Sequence, residues 1–336
     1  MTSQRAQTEY DPSVPSVRCS MEEIGCIFCE TASASVLLEE NGYKARRCAT
    51  CRLIYVSPRP SLADIRNLYS HDAAHVSAAT HISGAFRRRL IARLTLEIIQ
   101  RHVARGALLE IGSGSGYFLD EARRHGFAVH GIELNAPLAE FTRETLRIPC
   151  EEAPLGESTY AGQSFDVIYH RDVIGHFFDP IGEFEKTHQR LNEGGIVAFE
   201  TGNVADIDEQ YLRLFSEFQL PDHLFFFGER HLTELLQRTG FELLRVERYS
   251  IVPQLRIMRA VDGFIDSIAP LKRARKRDEA AKTQQLASGG AAHRSAGRAL
   301  PRNAYNYLYY VARYKIGRVV PMKCRPQTII VVARKR

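Results

Sequence analysis

The 336-residue chain is predicted to be an α/β protein with a doubly wound sheet of seven strands, the last of them antiparallel, and a small cysteine-rich module ahead of it. Three observations predict this architecture. From residue 107 onward, apolar strand-like segments alternate with helical ones, as in βαβ units. A glycine-rich turn follows the first of these strands. Two closely spaced cysteine pairs lie within residues 21–60.

Composition narrows the class of protein before any motif is considered. Apolar residues make up 44% and charged residues 25% of the chain, which is ordinary for a globular protein that buries a core. We find no signal-peptide pattern and no apolar run of about 18 residues, so we interpret the protein as cytoplasmic. The net charge is +6, and basic residues cluster notably at 272–277. No aromatic residues are interleaved with them, which argues against nucleic acid as a partner.

Four of the seven cysteines form two C-x-x-C pairs, Cys26 with Cys29 and Cys48 with Cys51, separated by 18 residues. Each pair can place two thiolates on one side of a tight turn, and two such pairs complete a tetrahedral S₄ site suited to Zn²⁺. We predict a structural zinc ion, which stabilises a segment too short to build its own core. A redox role or coincidence is the alternative.

Each element has a local justification in the sequence. Apolar runs predict the strands, apolar spacing of three and four predicts the helices, Asn135 is placed to cap a helix, and Gly240 to end one. The predicted helices cover residues 61–69, 84–104, 118–125 and 231–240; the predicted strands cover 107–111, 128–132, 147–150, 164–169, 194–200, 241–248 and 327–334.

The glycine-rich turn separates two classes of cofactor. A dinucleotide fingerprint, G-x-G-x-x-G, would require glycine at position 117, but that residue is Tyr117. The glycines fall at 112, 114 and 116 after Glu110, and the segment reads E-x-G-x-G-x-G. This pattern resembles motif I of the class I S-adenosylmethionine (SAM)-dependent methyltransferases, which have a Rossmann-like fold. The cysteine module resembles the zinc-binding region at the start of some bacterial members.

The resemblance implies a set of cofactor-binding residues. The glycine loop would lie against the methionine part of SAM, and the acid that ends the second strand would take the ribose hydroxyls. An acid after the third strand would meet the adenine, although two adjacent acids there could equally form a solvated loop. The implied residues are Glu110, Gly112, Ser113, Gly114, Gly116, Tyr117, Glu133, Leu134, Glu151, Glu152, His170 and Arg171.

The loop after the fourth strand should face the methyl acceptor, because ligands bind at the carboxyl ends of such strands. It resembles the family segment x-x-D-V-L-E-H-V-x-D-P, with Gly175 in place of the usual Glu before His176. In ubiquinone-type members that Glu-His pair has been linked to a metal, so the glycine argues against a catalytic metal here. His176 and His223 are the two candidate general bases, and each could instead be a packing residue.

We divide the chain into a disordered N-terminus (1–20), a zinc-binding module (21–60), a helical linker or cofactor lid (61–105), a SAM-binding core (106–250) with an aromatic acceptor-covering segment at 205–228, an insertion (251–326) with a flexible basic loop and a helix, and a last core strand (327–336). For the helix at 301–320 four roles stay open: packing on the core, covering the acceptor pocket, a homodimer contact, or contact with a membrane surface.

The sequence therefore predicts an enzyme that moves a methyl group from SAM to an oxygen, or less favourably a carbon, of a small molecule in secondary-metabolite or envelope glycan or lipid biosynthesis. Two alternatives are an RNA or protein methyltransferase that uses the zinc module for recognition, and a non-catalytic zinc-containing binding protein with the same fold.

Overall fold

The computed structural model describes residues 20–31, 35–70, 78–212, 215, 217–250, 296–317 and 327–336. Two sequence predictions fall largely outside these ranges: residues 1–19 of the N-terminus that is predicted to be disordered, and residues 272–295 of the predicted basic loop. Within the described part of the chain, no helix combines the length and apolarity needed to cross a bilayer.

The strands, in chain order, are β1 (Met21–Glu22), β2 (Val36–Glu40), β3 (Tyr43–Arg47), β4 (Ile54–Val56), β5 (Arg59–Pro60), β6 (Gly106–Ile111), β7 (Phe127–Ile132), β8 (Cys150–Glu151), β9 (Phe165–Arg171), β10 (Leu191–Gly202), β11 (Phe225–Phe226), β12 (Phe241–Tyr249) and β13 (Thr328–Lys335). The helices are α1 (Leu62–Ser70), α2 (Ala78–Ser83), α3 (Ala85–Ile99), α4 (Tyr117–Arg124), α5 (Ala136–Glu144), α6 (Pro180–Arg190), α7 (Glu209–Leu212), α8 (Glu229–Arg238) and α9 (Ala296–Val311).

The main sheet has seven strands in the order β12-β13-β10-β9-β6-β7-β8, which confirms the predicted fold class. Strands β6 to β10 are parallel, and β13 runs antiparallel to both β10 and β12. The strand order reverses between β6 and β9, and a crevice for a ligand forms at such a point. Strands β12 and β13 pair directly although 78 residues separate them in the chain.

The third strand was predicted at residues 147–150, but β8 covers only Cys150–Glu151. Arg147 has a φ of +56°, so the chain cannot be extended at that residue. The caps agree better with prediction: the Asn135 side chain accepts a hydrogen bond of 3.1 Å from the Leu138 amide at the start of α5, and Gly240 with a φ of +83° follows the end of α8.

Alternate residues of the strands enter two different cores, one on each face of the sheet. Leu108 and Val167 pack on the face that carries α3 and α4, whereas Leu109 and Ile168 pack on the face that carries α6 and α8. The second core continues into the cysteine module through Phe28, which is buried with the aromatic and aliphatic residues of the sheet. The cysteine module and the sheet therefore share one core.

The cysteine module also recruits a strand from the acceptor-covering segment. Its sheet has the order β11-β4-β3-β2, and β11 pairs antiparallel with β4 through Phe225 opposite Tyr55 and Phe226 opposite Ile54. The sequence division into a zinc module at 21–60 and a cover at 205–228 separates segments that the tertiary structure joins in one sheet.

Candidate active site

The glycine loop connects β6 to α4 and bends through three glycines with φ of +68°, +54° and +66° at positions 112, 114 and 116. A Cβ on Gly112 would approach Val173 to 2.7 Å, and one on Gly116 would approach Thr142 to 2.7 Å. A Cβ on Gly114 would instead lie 3.2 Å from the Nδ1 of His81. Gly114 lines a large cavity, as does Gly112, whereas Gly116 does not and serves the packing of the loop on α5.

The cavity has a volume of about 900 Å³ and opens at the carboxyl ends of the parallel strands. It is large enough for a nucleoside-sized ligand. Six of the predicted cofactor residues besides the two glycines line it: Glu110, Ser113, Tyr117, Glu133, Leu134 and Arg171. Both candidate bases, His176 and His223, line it as well.

Glu133 ends β7, and its carboxylate is held on the floor of this cavity. One carboxylate oxygen accepts a hydrogen bond of 2.6 Å from the Gly114 amide, and the other accepts one of 2.9 Å from the Asn135 amide. A carboxylate has about four acceptor positions, so two remain for the vicinal hydroxyls of a ribose. Burial raises the pKa of Glu133, although these backbone amides oppose the shift.

Two residues of opposite charge that line the cavity, the buried Glu110 and the half-buried Arg88, each have one buried polar atom without a hydrogen bond. Among the described residues, the Oε2 of Glu110 and the Nε of Arg88 have no hydrogen-bond partner. Burial and the neighbouring Glu133 raise the pKa of Glu110 well above its ordinary value, and burial and Arg171 lower the pKa of Arg88 to about 10. The zwitterionic end of an amino acid would satisfy both groups at once.

Sequence reasoning missed Arg88, because it lies in a run of three arginines on α3 that reads as a solvated helix face. The feature of the sequence that could have indicated Arg88 is the position of this basic run, in the helix directly before the strand that leads into the glycine loop.

The third strand presents its acids differently from the prediction. Glu151 accepts a hydrogen bond of 2.7 Å from the Ser158 hydroxyl, and Glu152 is exposed. Neither lines the cavity, which is bounded there by Ala153, Pro154 and Glu157. The structure therefore presents apolar surface, and the carboxylate of Glu157, where an adenine ring was expected to meet Glu151 or Glu152.

His170 and Arg171 are adjacent on β9 and point to opposite faces of the sheet. His170 is buried away from the cavity, with its ring stacked on Phe199 at 5.0 Å, and burial lowers its pKa to about 3. The structure thus makes His170 a neutral core residue, in contrast to its predicted place beside the cofactor. Arg171 lines the cavity and forms ion pairs of 3.4 Å with Glu200 and Asp172.

The two candidate bases lie side by side at the far end of the cavity. The ring centroids of His176 and His223 are 4.2 Å apart. The Nδ1 of His176 lies 2.7 Å from the Asp222 carbonyl oxygen, which can only accept, so Nδ1 carries the proton and Nε2 is the basic nitrogen. Burial lowers the pKa of His176, but the contacts with Asp222, whose carboxylate lies 3.4 Å away, raise it by more. The pKa of His176 is therefore above the ordinary histidine value.

The departure from the family pattern at Gly175 has a steric reason. A Cβ at this position would lie 2.9 Å from the Phe225 carbonyl oxygen and 3.1 Å from a ring carbon of His223. The amide of Leu224 also donates to the Gly175 carbonyl at 2.8 Å, which keeps the two backbones in contact. A glutamate cannot occupy the position without displacing the segment that carries His223.

A second, smaller chamber of about 210 Å³ adjoins the large cavity. The two share Asp172, Gln219 and His223, so a ligand in each would meet at the histidine pair. Five phenylalanines line the small chamber together with polar residues that include Asp172 and Glu217; the phenylalanines are Phe215, Phe218, Phe225, Phe226 and Phe227. Its size and lining suit one planar ring.

The four predicted metal ligands form a cluster beside this chamber. The Sγ atoms of Cys26, Cys29, Cys48 and Cys51 all lie within 4.8 Å of one another. A tetrahedral S₄ site with Zn–S bonds of about 2.3 Å requires sulfurs about 3.8 Å apart, so the donor set fits Zn²⁺. Burial raises the pKa of the Cys48 thiol, but hydrogen bonds from the amides of Cys51 and Thr50 outweigh this effect and lower the pKa to about 6.

The cluster is attached to the domain of the main sheet by His231 of α8, a contact that the sequence did not indicate. Its Nδ1 accepts from the Gly228 amide at 3.0 Å, and its Nε2 donates to the Cys51 carbonyl at 2.8 Å. Both ring nitrogens are therefore committed to a neutral tautomer, and burial lowers the pKa.

The sheet order, the glycine loop and the acid at the end of β7 define a nucleoside-binding α/β enzyme. Comparison with known proteins names the class. A family model described as "Methyltransferase domain" matches residues 83–246. The chain contains a class I SAM-dependent methyltransferase domain, with a cysteine cluster ahead of it.

Curated relatives include ubiquinone biosynthesis O-methyltransferases. The protein of Ruegeria pomeroyi is 29% identical over 154 residues, which span 40% of this chain and 62% of the relative. The protein of Nitrosococcus oceani is 34% identical over 119 residues, which span 33% of this chain and 50% of the relative. The chain thus spans less than two thirds of the length of these relatives.

Solved structures of similar shape include phosphoethanolamine N-methyltransferase 2 of Haemonchus contortus in complex with SAM. The TM-score is 0.48 at 18% identity, covering 84% of this chain and 62% of that chain. Another is a protein of Galdieria sulphuraria whose structure is described as that of a candidate sarcosine dimethylglycine methyltransferase. Its TM-score is 0.46 at 14% identity, covering 72% of this chain and 84% of that chain.

Proposed function

We propose that the protein transfers the methyl group of SAM to a hydroxyl oxygen of a small aromatic acceptor. The observation that carries this proposal is the junction of the two chambers: a nucleoside-sized cavity on the glycine loop meets a ring-sized aromatic chamber at Asp172, Gln219 and His223. The names of the curated relatives, O-methyltransferases of ubiquinone biosynthesis, agree with an oxygen acceptor.

SAM, when bound, supplies an electrophilic methyl group on a sulfonium. Glu133 would take its ribose hydroxyls, Glu110 its ammonium and Arg88 its carboxylate, while Ala153 and Pro154 would face the adenine. This assignment is supported by the unsatisfied Oε2 of Glu110 and Nε of Arg88 and by the space beside Gly114, where a Cβ would already touch His81. Binding would pair the charges that are costly to bury alone.

The histidine pair would act on the acceptor. An alkoxide or phenolate is a far better nucleophile than the neutral hydroxyl, so a base that removes the proton accelerates transfer. Asp222 orients the His176 ring through Nδ1, which leaves Nε2 to accept a proton. His223 lines both chambers and would accept the acceptor's proton directly or pass it to His176. Aromatic walls keep water from competing.

The position of the cysteine module favours a small acceptor over RNA or protein. Phe28 and Tyr55 of the module are buried in the core, and β4 pairs with β11 in the wall of the small chamber. The module thus packs on its own chain. A module that recognises RNA or protein would instead need an exposed binding face. We propose that it holds a structural Zn²⁺.

The test is a product assay with SAM labelled in its methyl group. The acceptors are a panel of phenols and catechols, matched aliphatic alcohols and carboxylic acids, a structured RNA and a peptide mixture, all read by mass spectrometry. We expect methylation of a phenol and loss of that product in His223→Ala with SAM binding retained. Methylation of RNA or peptide alone, or of none of the set, would contradict the proposal.

Two further predictions concern partners and are untested. On the C-terminal helix, Tyr305, Leu308 and Ile316 are exposed by 64%, 69% and 79%, while Tyr310 lines the large cavity. We propose that this exposed apolar stripe contacts an anionic membrane surface beside the cavity mouth, in line with the basic residues Arg313 and Lys315. A homodimer contact through the same stripe is the alternative outcome in vesicle sedimentation and sizing experiments.

A further inference from the structure

The wall of the small chamber is held by a hairpin of the cysteine module. Strands β2 and β3 are joined by Asn41 and Gly42, whose φ values are +53° and +81°, and Glu40 pairs with Tyr43 across the turn. Positive φ at both central residues is what a type I′ hairpin turn requires, and Asn-Gly is its preferred sequence. The turn therefore projects Glu40 and Asn41 rigidly toward the segment at 217–224.

Glu40 grips that segment with both carboxylate oxygens. Oε1 accepts from the Phe218 amide at 2.9 Å and Oε2 accepts from the Leu220 amide at 2.7 Å. The residue between these two amides, Gln219, has a φ of +63°, a left-handed conformation that residues other than glycine rarely adopt. Such a conformation persists where surrounding contacts over-determine it, and the Glu40 carboxylate is such a contact.

Further bonds from the module continue along the wall. The side-chain amide of Asn41 donates to the Leu220 carbonyl at 2.8 Å. The Val56 amide donates to the Leu224 carbonyl at 2.9 Å, just before β11 joins β4. His223 lies between these attachment points, and its own amide donates to the Gln219 carbonyl at 3.1 Å.

We propose that Glu40 and Asn41 are positioning residues: they hold residues 218–224 in the conformation that turns Gln219 and His223 into the junction of the two chambers. The cysteine cluster would then serve catalysis indirectly, because it fixes the hairpin that forms the clamp. The catalytic consequence rests on the function proposed above, whereas the clamp itself does not depend on it.

The direct test is hydrogen–deuterium exchange of the full-length protein, read on peptides that cover residues 215–228. Glu40→Gln keeps the size of the side chain but offers one acceptor oxygen for two amides. Glu39→Gln is the matched control, since Glu39 is exposed on the neighbouring position of β2. We expect exchange at Phe218 and Leu220 to rise about tenfold or more in Glu40→Gln alone, as for loss of a hydrogen bond to a charged group.

A second variant guards against misfolding. Asn41→Gly retains a residue that accepts positive φ at the turn, but it removes the bond to the Leu220 carbonyl. We expect a smaller rise in exchange on the same peptide, with the glycine-loop peptide unchanged. Unchanged protection of 215–228 in both variants, or an equal loss of protection throughout the protein, would overturn the clamp.

The catalytic arm uses catechol as the acceptor probe and measures SAM affinity separately by calorimetry. In Glu40→Gln we expect kcat/KM for catechol to fall about tenfold or more, with the Kd for SAM within twofold of the wild-type value. Equal weakening of SAM binding would refute a positioning role at the acceptor side. If the wild type does not methylate catechol, the proposed function fails on that probe while the exchange experiment still decides the clamp.

Discussion

Gly114→Ala separates the binding role of the glycine loop from its conformational role. Gly114 has a φ of +54°, and a Cβ there would point to the cavity side and lie 3.2 Å from His81. Gly126 is the matched control: its φ is +91°, and a Cβ there would meet nothing within 4 Å. Both substitutions put alanine in a left-handed conformation, but only one of them introduces a methyl group where SAM is proposed to lie.

The two variants should lose similar amounts of stability. An L-residue in the left-handed region costs about 1–2 kcal/mol, which lowers the Tm by a few degrees in a domain of this size. Binding should differ. An extra methyl group in a close-packed contact costs about 1–3 kcal/mol, which corresponds to an affinity loss of about 5- to 150-fold. We therefore expect the Kd for SAM to rise by that factor in Gly114→Ala alone.

Calorimetric titration with SAM and thermal unfolding without SAM measure the two quantities independently. Gly116→Ala adds a third case, because its Cβ would collide with Thr142 at 2.7 Å outside the cavity. This variant should lower the Tm more than Gly114→Ala does and raise the Kd for SAM less. Equal effects of Gly114→Ala and Gly126→Ala on the Kd would refute the placement of the cofactor against Gly114.

Three further predictions follow from the charges of the site and from the cysteine cluster. His176 must be unprotonated to act as a base, so kcat/KM should rise with pH through a pKa above the ordinary histidine value; Asp222→Asn should move this rise to lower pH, as a pH profile would show. The same raised pKa stabilises the fold at low pH, and this contribution is lost as the pH rises through it. Arg88→Met should weaken SAM binding about tenfold or more yet leave the Tm without SAM unchanged or higher, because it removes a half-buried charge whose buried Nε has no hydrogen-bond partner among the described residues; equal losses of both would contradict the assignment. Cys48→Ser should reduce the amount of bound zinc, and chelator treatment should then no longer lower the Tm. In the wild type, metal at 100 times its Kd adds about 2.7 kcal/mol to the free energy of unfolding, which the chelator removes. Metal analysis that finds no zinc in the wild type would contradict the site.

The local sequence determined the elements and the cofactor side of the site. Glycines that need positive φ, an acid directly after an apolar strand, and alternating strand and helix patterns are properties of short segments, so they can be identified without tertiary contacts. Gly112, Gly114 and Glu133 line the large cavity, and the seven-stranded sheet has the predicted antiparallel last strand.

Side-chain direction on a buried strand was beyond local reasoning. His170 and Arg171 are neighbours in the loop-like end of β9, and a one-residue difference in register decides which of them reaches the cavity. Gly116 illustrates the same limit, because the glycine pattern identifies the turn but not which of its residues faces ligand and which faces α5.

The acceptor side was decided by the tertiary structure. Glu40 and Phe218 are 178 residues apart in the chain, and no periodicity within either segment indicates their hydrogen bond. The pairing of β4 with β11 likewise joins two segments that each read as separate units. Short-range patterns determine helices, turns and strands, because those depend on neighbouring residues; the acceptor chamber depends on which distant backbones find each other, and only the folded chain specifies that.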